Sequence, residues 1–147
     1  MTNPETRLEQ LLAPFDPVIA KRGRALRAAL RRRLPGLHEL VYVYARKGSL
    51  VISYAPTENG YEGLFALSLE ADDVKLYFNR GAELASSDPA RLLKGRGKLV
   101  RFVTIEDASD LEREEIETLI DASLALADLR LDPRAEGRVV IKSDGEG

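Results

Sequence analysis

Cysteine is absent, which removes disulfides, thiolate metal sites and thiol nucleophiles from the chemistry open to this chain. His38 is the only histidine, so no site built from several imidazoles can form. No run approaches the roughly 20 consecutive apolar residues that a bilayer-crossing helix needs, and the N-terminal region holds no apolar core of signal-peptide length. These absences lead to the expectation of a cytoplasmic protein with no membrane partner. An excess of one charge is missing too: 22 basic residues face 24 acidic ones, a net charge of −2. Such a balance sets up no field that would draw nucleic acid, and none is expected as a partner.

What is present suits a folded domain. The chain has 147 residues, 44% of them hydrophobic and 31% charged, enough for one core and too few for a second. A single α+β domain is expected over residues 1–142, followed by a disordered tail, Ser143-Asp144-Gly145-Glu146-Gly147.

Asn3-Pro4 reads as the start of a short helix through Leu12, with Asn suited to the N-cap and Pro to the first helical position. Asp16-Pro17 repeats the signal. Ile19, Gly23, Leu26, Leu30 and Leu34 then fall on one helical face, where the glycine costs about 1 kcal/mol of helix propensity and so implies a close neighbour. From Glu39 the pattern turns to β-branched and aromatic residues. Four strands are expected, Leu40 to Ala45, Leu50 to Ala55, Tyr61 to Glu70 and Val74 to Asn79, joined by short turn-rich separators into an antiparallel meander. Alternation puts Phe65, Leu67, Leu69, Val74, Leu76 and Phe78 towards the helices and leaves Ala66, Ser68, Lys75, Tyr77 and Asn79 on the reverse face. Asp88-Pro89 is expected to open one helical turn through Leu93. A fifth strand should run from Leu99 to Ile105, and a long helix should follow, with Ser109 and Glu112 as its capping box and Asp132-Pro133 as its end. Val139-Val140-Ile141 can add an edge strand, giving an antiparallel sheet of about five or six strands.

Three groups of residues invite a functional reading. Lys94-Gly95-Arg96-Gly97-Lys98 has the glycines of a phosphate loop, but Leu99 follows where Ser or Thr is needed, and a strand follows where a helix is needed. It reads as a basic turn; the alternative is a weak anion site of Lys94, Arg96, Lys98 and Arg101. Alternation places Arg101 with Leu99, Val103 and Ile105 on one face, where an ion pair with a carboxylate, such as one from the last helix, is expected. Asp110, Glu114, Glu117 and Asp121 form a carboxylate stripe along that helix, and like charges at this spacing call for solvent, the basic Lys21 to Arg33 helix, or a cation as compensation. Finally, Ser68, Lys75 and Tyr77 lie on the mild reverse face of the sheet, where a second copy or a protein partner can dock. Catalysis has little material: no nucleophile and base can be paired from the sequence, and His38 is read as a hydrogen-bonded turn residue.

Taken together, Phe15-Asp16-Pro17, Leu34-Pro35-Gly36, Ser53-Tyr54-Ala55-Pro56-Thr57, Val74-Lys75-Leu76-Tyr77-Phe78, Arg80-Gly81-Ala82, Asp88-Pro89 and Leu92-Leu93-Lys94-Gly95-Arg96-Gly97-Lys98 resemble the bacterial domain-of-unknown-function family numbered 1801, the YdhG-like proteins. The resemblance covers about residues 14 to 130. It implies a two-layer α+β fold with an antiparallel sheet, and an iron-chaperone role through frataxin-like relatives. Frataxin-type binding resembles an acidic ridge on the first helix and strand, whereas here that helix is basic and the carboxylates sit on the last one. The expected function is therefore a non-catalytic binding or adaptor module without a cofactor. The alternatives are a small anionic ligand at the Lys94–Lys98 loop and iron carriage on the acidic stripe.

Overall fold

Asn3 and Asp16 open the first two helices in the same manner. The Asn3 side chain accepts a hydrogen bond from the Thr6 N–H at 2.8 Å, and the Asp16 carboxylate accepts one from the Val18 N–H at 2.8 Å. Each cap satisfies a backbone donor that the first helical turn leaves free, and Pro follows where no donor is needed. The computed structural model describes residues 3–145. In it, α1 runs Pro4–Leu12 and α2 Pro17–Arg33. Ile19, Gly23, Leu26, Leu30 and Leu34 are buried, as their spacing requires.

The strands are β1 (His38–Tyr44), β2 (Ser49–Ala55), β3 (Phe65–Leu69), β4 (Val74–Phe78), β5 (Arg101–Ile105) and β6 (Val139–Ser143), with α3 (Glu114–Leu126) between the last two. They form one sheet in the order β5-β4-β3-β2-β1-β6. Strands β1 to β5 make the antiparallel meander, but β6 pairs with β1 in parallel, so the sheet is mixed. The fully antiparallel expectation is corrected at this one strand. After β5 the chain crosses the helical layer to reach the opposite edge, and that crossover sets the direction of β6. Two contacts seat it: the Glu39 N–H donates to the Arg138 carbonyl at 2.8 Å, and the Arg138 N–H donates to His38 Nδ1 at 3.0 Å. The single histidine is hydrogen-bonded as expected, but it is the first residue of β1 rather than a turn residue. Gly137 lies directly against the Leu37 carbonyl, where any Cβ would collide with backbone.

The core lies between the helices and one face of the sheet. Phe65, Leu67, Leu69, Val74, Leu76 and Phe78 are fully buried there against Leu26 and Leu30 of α2 and Ile116, Leu119 and Ile120 of α3. A Cβ on Gly23 would stand 2.5 Å from Leu69 Cδ2, which is the close neighbour that the glycine implied.

Other differences from expectation are local. Tyr61 sits in a 3-10 turn, Gly60–Glu62, and β3 begins only at Phe65. The 3-10 segment Gly81–Ser87 precedes Asp88 rather than following it, and the Asp88 carboxylate accepts from the Leu92 and Leu93 N–H groups, both at 2.9 Å. The capping box is formed by Asp107 and Asp110, not Ser109 and Glu112, and it opens a 3-10 turn, Ala108–Glu112, ahead of α3. That helix ends at Leu126, before Asp132-Pro133, and Asp128 has a left-handed φ of 51°. Ser143 belongs to β6 rather than to a disordered tail, and residues 146 and 147 lie outside the described residues. No helix among the described residues is long and apolar enough to cross a membrane.

Candidate functional site

The sheet face turned away from the helices is arranged in two rows. One runs across the strands as Tyr42, Val51, Ser68, Lys75 and Thr104, the other as Leu40, Ser53, Ala66, Tyr77 and Phe102. In both rows the middle positions, on β2 and β3, carry small side chains, while larger ones stand on the flanking strands. Alternation along each strand makes this pattern add up to a trough. Ser49, Ser53 and Ser68 are buried in its floor.

Two hollows lie along the trough, of about 710 Å³ and 340 Å³, and they share Tyr44, Val51 and Ala66. The 57–63 loop closes one end. Gly60 packs against the Tyr42 hydroxyl, Gly63 against Ser53 Oγ, and Asn79 Nδ2 donates to the Gly63 carbonyl at 2.7 Å. Five large apolar or aromatic side chains stay exposed among the described residues, and three of them, Tyr44, Tyr61 and Val100, line these hollows. Lys142 lines the larger hollow and Lys47 the smaller.

Ser68 and Tyr77 line the smaller hollow, as the alternation pattern implied. Lys75 instead reaches over the Phe102 ring, 4.7 Å from its centroid, and pairs with Glu70 at 3.2 Å. Burial alone would lower the Lys75 pKa, but its hydrogen bond and ion pair with Glu70 outweigh burial and hold it above the usual lysine value. Tyr77 stacks at a tilt on Phe102, with centroids 5.3 Å apart. Burial raises the pKa of both Tyr77 and Tyr42, so their hydroxyls stay neutral donors and acceptors at physiological pH. Hydroxyls, amides and ring faces of this kind can fix the orientation of a bound group.

The basic loop is a turn. Lys94 and Phe102 exchange backbone hydrogen bonds at 2.8 and 2.9 Å across it, and Gly95, at a φ of 123°, supplies a conformation that other residues resist. Lys94, Arg96 and Lys98 point to solvent. Arg101 does not pair with a carboxylate of α3: its guanidinium folds back to donate to the Gly97 and Val100 carbonyls. α3 packs over the Gly81–Ser87 segment, and the acceptors that the Arg101 guanidinium takes are carbonyls of its own turn.

The acidic stripe is not brought together as a ligand set. Asp110 is engaged with the Glu106 and Asp107 N–H groups at 3.1 and 3.3 Å, and Asp121 with Arg33 at 2.5 Å. Glu114 and Glu117 are exposed. Among the described residues no three His, Cys, Asp or Glu side chains converge on a point where a metal ion could sit.

One polar cluster was not anticipated. Glu39, on the core face of β1 and 2% exposed, accepts from Arg27 Nε at 2.9 Å, from Arg27 Nη2 at 2.8 Å and from the buried Tyr54 hydroxyl at 2.9 Å. Glu5 closes the other side of Arg27 at 2.7 and 2.9 Å and also takes Arg31 at 2.9 Å. The Arg27 hydrogen bond, with help from Arg31, holds the Glu5 carboxyl below the usual range despite partial burial. The only available signal was Glu39 itself, a charged residue at a core-facing position of a strand. This cluster consumes much of the basic face of α2, with Arg24 taken by Glu9 at 2.9 Å.

Searches of family models, curated proteins and solved structures return no match to this chain.

Proposed function

We propose that the chain is a non-catalytic binding domain whose working surface is the trough on the open sheet face. Its occupant is an extended protein segment carrying an aromatic side chain flanked by acidic residues. One observation carries this reading: small side chains floor the centre of the sheet between aromatic flanks, and Tyr44, Tyr61 and Val100 stay exposed at its margin. A solvated sheet face ordinarily presents polar side chains. Exposed aromatics around a concave patch are instead the composition of a protein interface, where a ring seated in a pocket supplies most of the binding energy. Lys47 and Lys142, in the two hollows, favour acidic flanks on the ligand. Membership of the YdhG-like family belongs to the same proposal and rests on the motif order from Phe15 to Lys98.

The chain has no tryptophan, so Tyr77→Trp places a single fluorescent reporter in the trough. Titration with a hexapeptide of acidic residues around one phenylalanine should shift its emission to saturation, and the Lys-substituted peptide should not. Tyr44→Asp and Tyr61→Asp, both at exposed positions, should weaken the response at least tenfold. No shift with either peptide, together with a monomer mass in native mass spectrometry, refutes the proposal. A dimer mass lost in Tyr61→Asp would assign the trough to a second copy instead and equally overturn the stated occupant.

A further inference from the structure

A separate cleft of about 570 Å³ opens at the corner between α1 and the β1–β2 hairpin. Leu11 of α1, with Pro14 and Phe15 of the α1–α2 connection, forms one wall, and Val43 and Leu50 of the sheet, with Ala71 of the β3–β4 turn, form the other. Two charged residues line it. Asp16 is committed to capping α2 through the Val18 N–H. Arg7 is the other, half-buried at the rim and held by its hydrogen bond to Gln10 Oε1 at 3.1 Å. Its remaining counter-charge comes from the end of the chain, where the Asp144 carboxylate lies 3.7 Å away. Gly145 follows and packs against Val43 and Ala45, so Asp144 and Gly145 lie along the cleft's margin.

An apolar cleft with one guanidinium at its rim matches one ligand chemistry, a hydrocarbon chain ending in a carboxylate. We infer that this cleft binds a medium-chain aliphatic carboxylate, with the chain against Leu11, Phe15, Val43 and Leu50 and the carboxylate on Arg7 in place of Asp144. The exchange is a small one. A half-exposed ion pair at 3.7 Å contributes little, whereas a free carboxylate can approach the guanidinium fork with two parallel hydrogen bonds. Each methylene fully removed from water should tighten binding about fourfold. The cleft meets the trough at Tyr44 and Ser49, but Arg7, Ala71 and Asp144 line neither of the trough's hollows.

The test is isothermal titration of the full chain with octanoate, decanoate and dodecanoate below their micelle concentrations, and with decanol. One-to-one binding that tightens with chain length, and at least a tenfold preference for decanoate over decanol, is the expected result. Arg7→Gln should erase that preference, and Asp144→Asn should tighten decanoate several-fold, but not in the Arg7→Gln background. Ala71→Trp, at an exposed turn position, should occlude the cleft and weaken every ligand, with unchanged circular dichroism showing that the fold is kept. Absence of heat with all four ligands overturns the inference. So does binding at several copies per chain that ignores both Arg7→Gln and Ala71→Trp, which is adsorption, and so does equal affinity for decanoate and decanol.

Discussion

Replacing Glu39 with methionine should be among the most damaging single changes in this protein, although the residue looks like an ordinary polar position of a first strand. Its carboxylate is almost fully buried, and its partner Arg27 is only 13% exposed. Glu39→Met leaves that guanidinium under α2 with Glu5 alone, and it strips the Tyr54 hydroxyl of its acceptor. Breaking a buried ion pair from one side costs about 3–5 kcal/mol. The lower end, about 3 kcal/mol, applies here because Glu5 still chelates Arg27 from a half-exposed position. Arg27→Met should cost a similar amount by leaving Glu39 with only the Tyr54 hydroxyl and Arg31, 3.6 Å away. A domain of this class has about 5–15 kcal/mol in total, so either variant remains foldable but impaired. The two changes together should cost clearly less than their sum, by about 2 kcal/mol or more, since the double variant leaves no buried charge without a partner. Urea denaturation followed by far-ultraviolet circular dichroism at pH 7 measures all three; with a slope of about 2 kcal/mol per molar, the single variants should unfold roughly 1.5 M earlier. Singles within about 1 kcal/mol of the parent, or strict additivity in the double variant, would refute the claim that Glu39 and Arg27 are held as a pair.

Two further outcomes test neighbouring parts of the core. Burial, and then the adjacent Glu39 carboxylate, push the Tyr54 phenol well above its ordinary value of 10.0. The folded chain therefore keeps a proton that the unfolded chain loses, and this contribution is complete below about pH 10 and falls away above it. Tyr54→Phe should cost about 1.5–3 kcal/mol at pH 7, and the parent's advantage should shrink by roughly 1.4 kcal/mol per pH unit above 10; a constant gap between pH 9 and 11 would contradict the assignment. Gly23→Ala should gain about 1 kcal/mol of helix propensity yet lose about 1–3 kcal/mol to overpacking, because Leu69 is fully buried and cannot retreat. In a Leu69→Val background the same change should stabilise. A Gly23→Ala variant more stable than the parent in thermal unfolding would show that the packing reading is wrong.

The helices and the meander were legible because their signals are local. Asn3-Pro4 and Asp16-Pro17 carry their own caps, and the stripe from Ile19 to Leu34 carries its own period. The reverse sheet face was legible in part: alternation marked Ser68 and Tyr77, and both line the trough. Lys75 was placed on the right face, but its turn onto Phe102 and Glu70 depends on β5 and on the β3–β4 turn, which alternation within one strand does not contain. Arg101 failed for a related reason. An arginine on a strand calls for acceptors, and its own turn supplies them before any helix comes within reach.

Caps, periodicity and composition act over a few residues, so the main helices and strands, their faces and the chemistry the chain lacks could be read from residue order. Tertiary structure alone decided the parallel placement of β6, the closure of the trough by the 57–63 loop, and the meeting of Glu5, Arg27, Arg31, Glu39 and Tyr54. Each of these joins residues distant in sequence, and which charges meet in a core is settled by how the elements pack, a choice that no local pattern encodes.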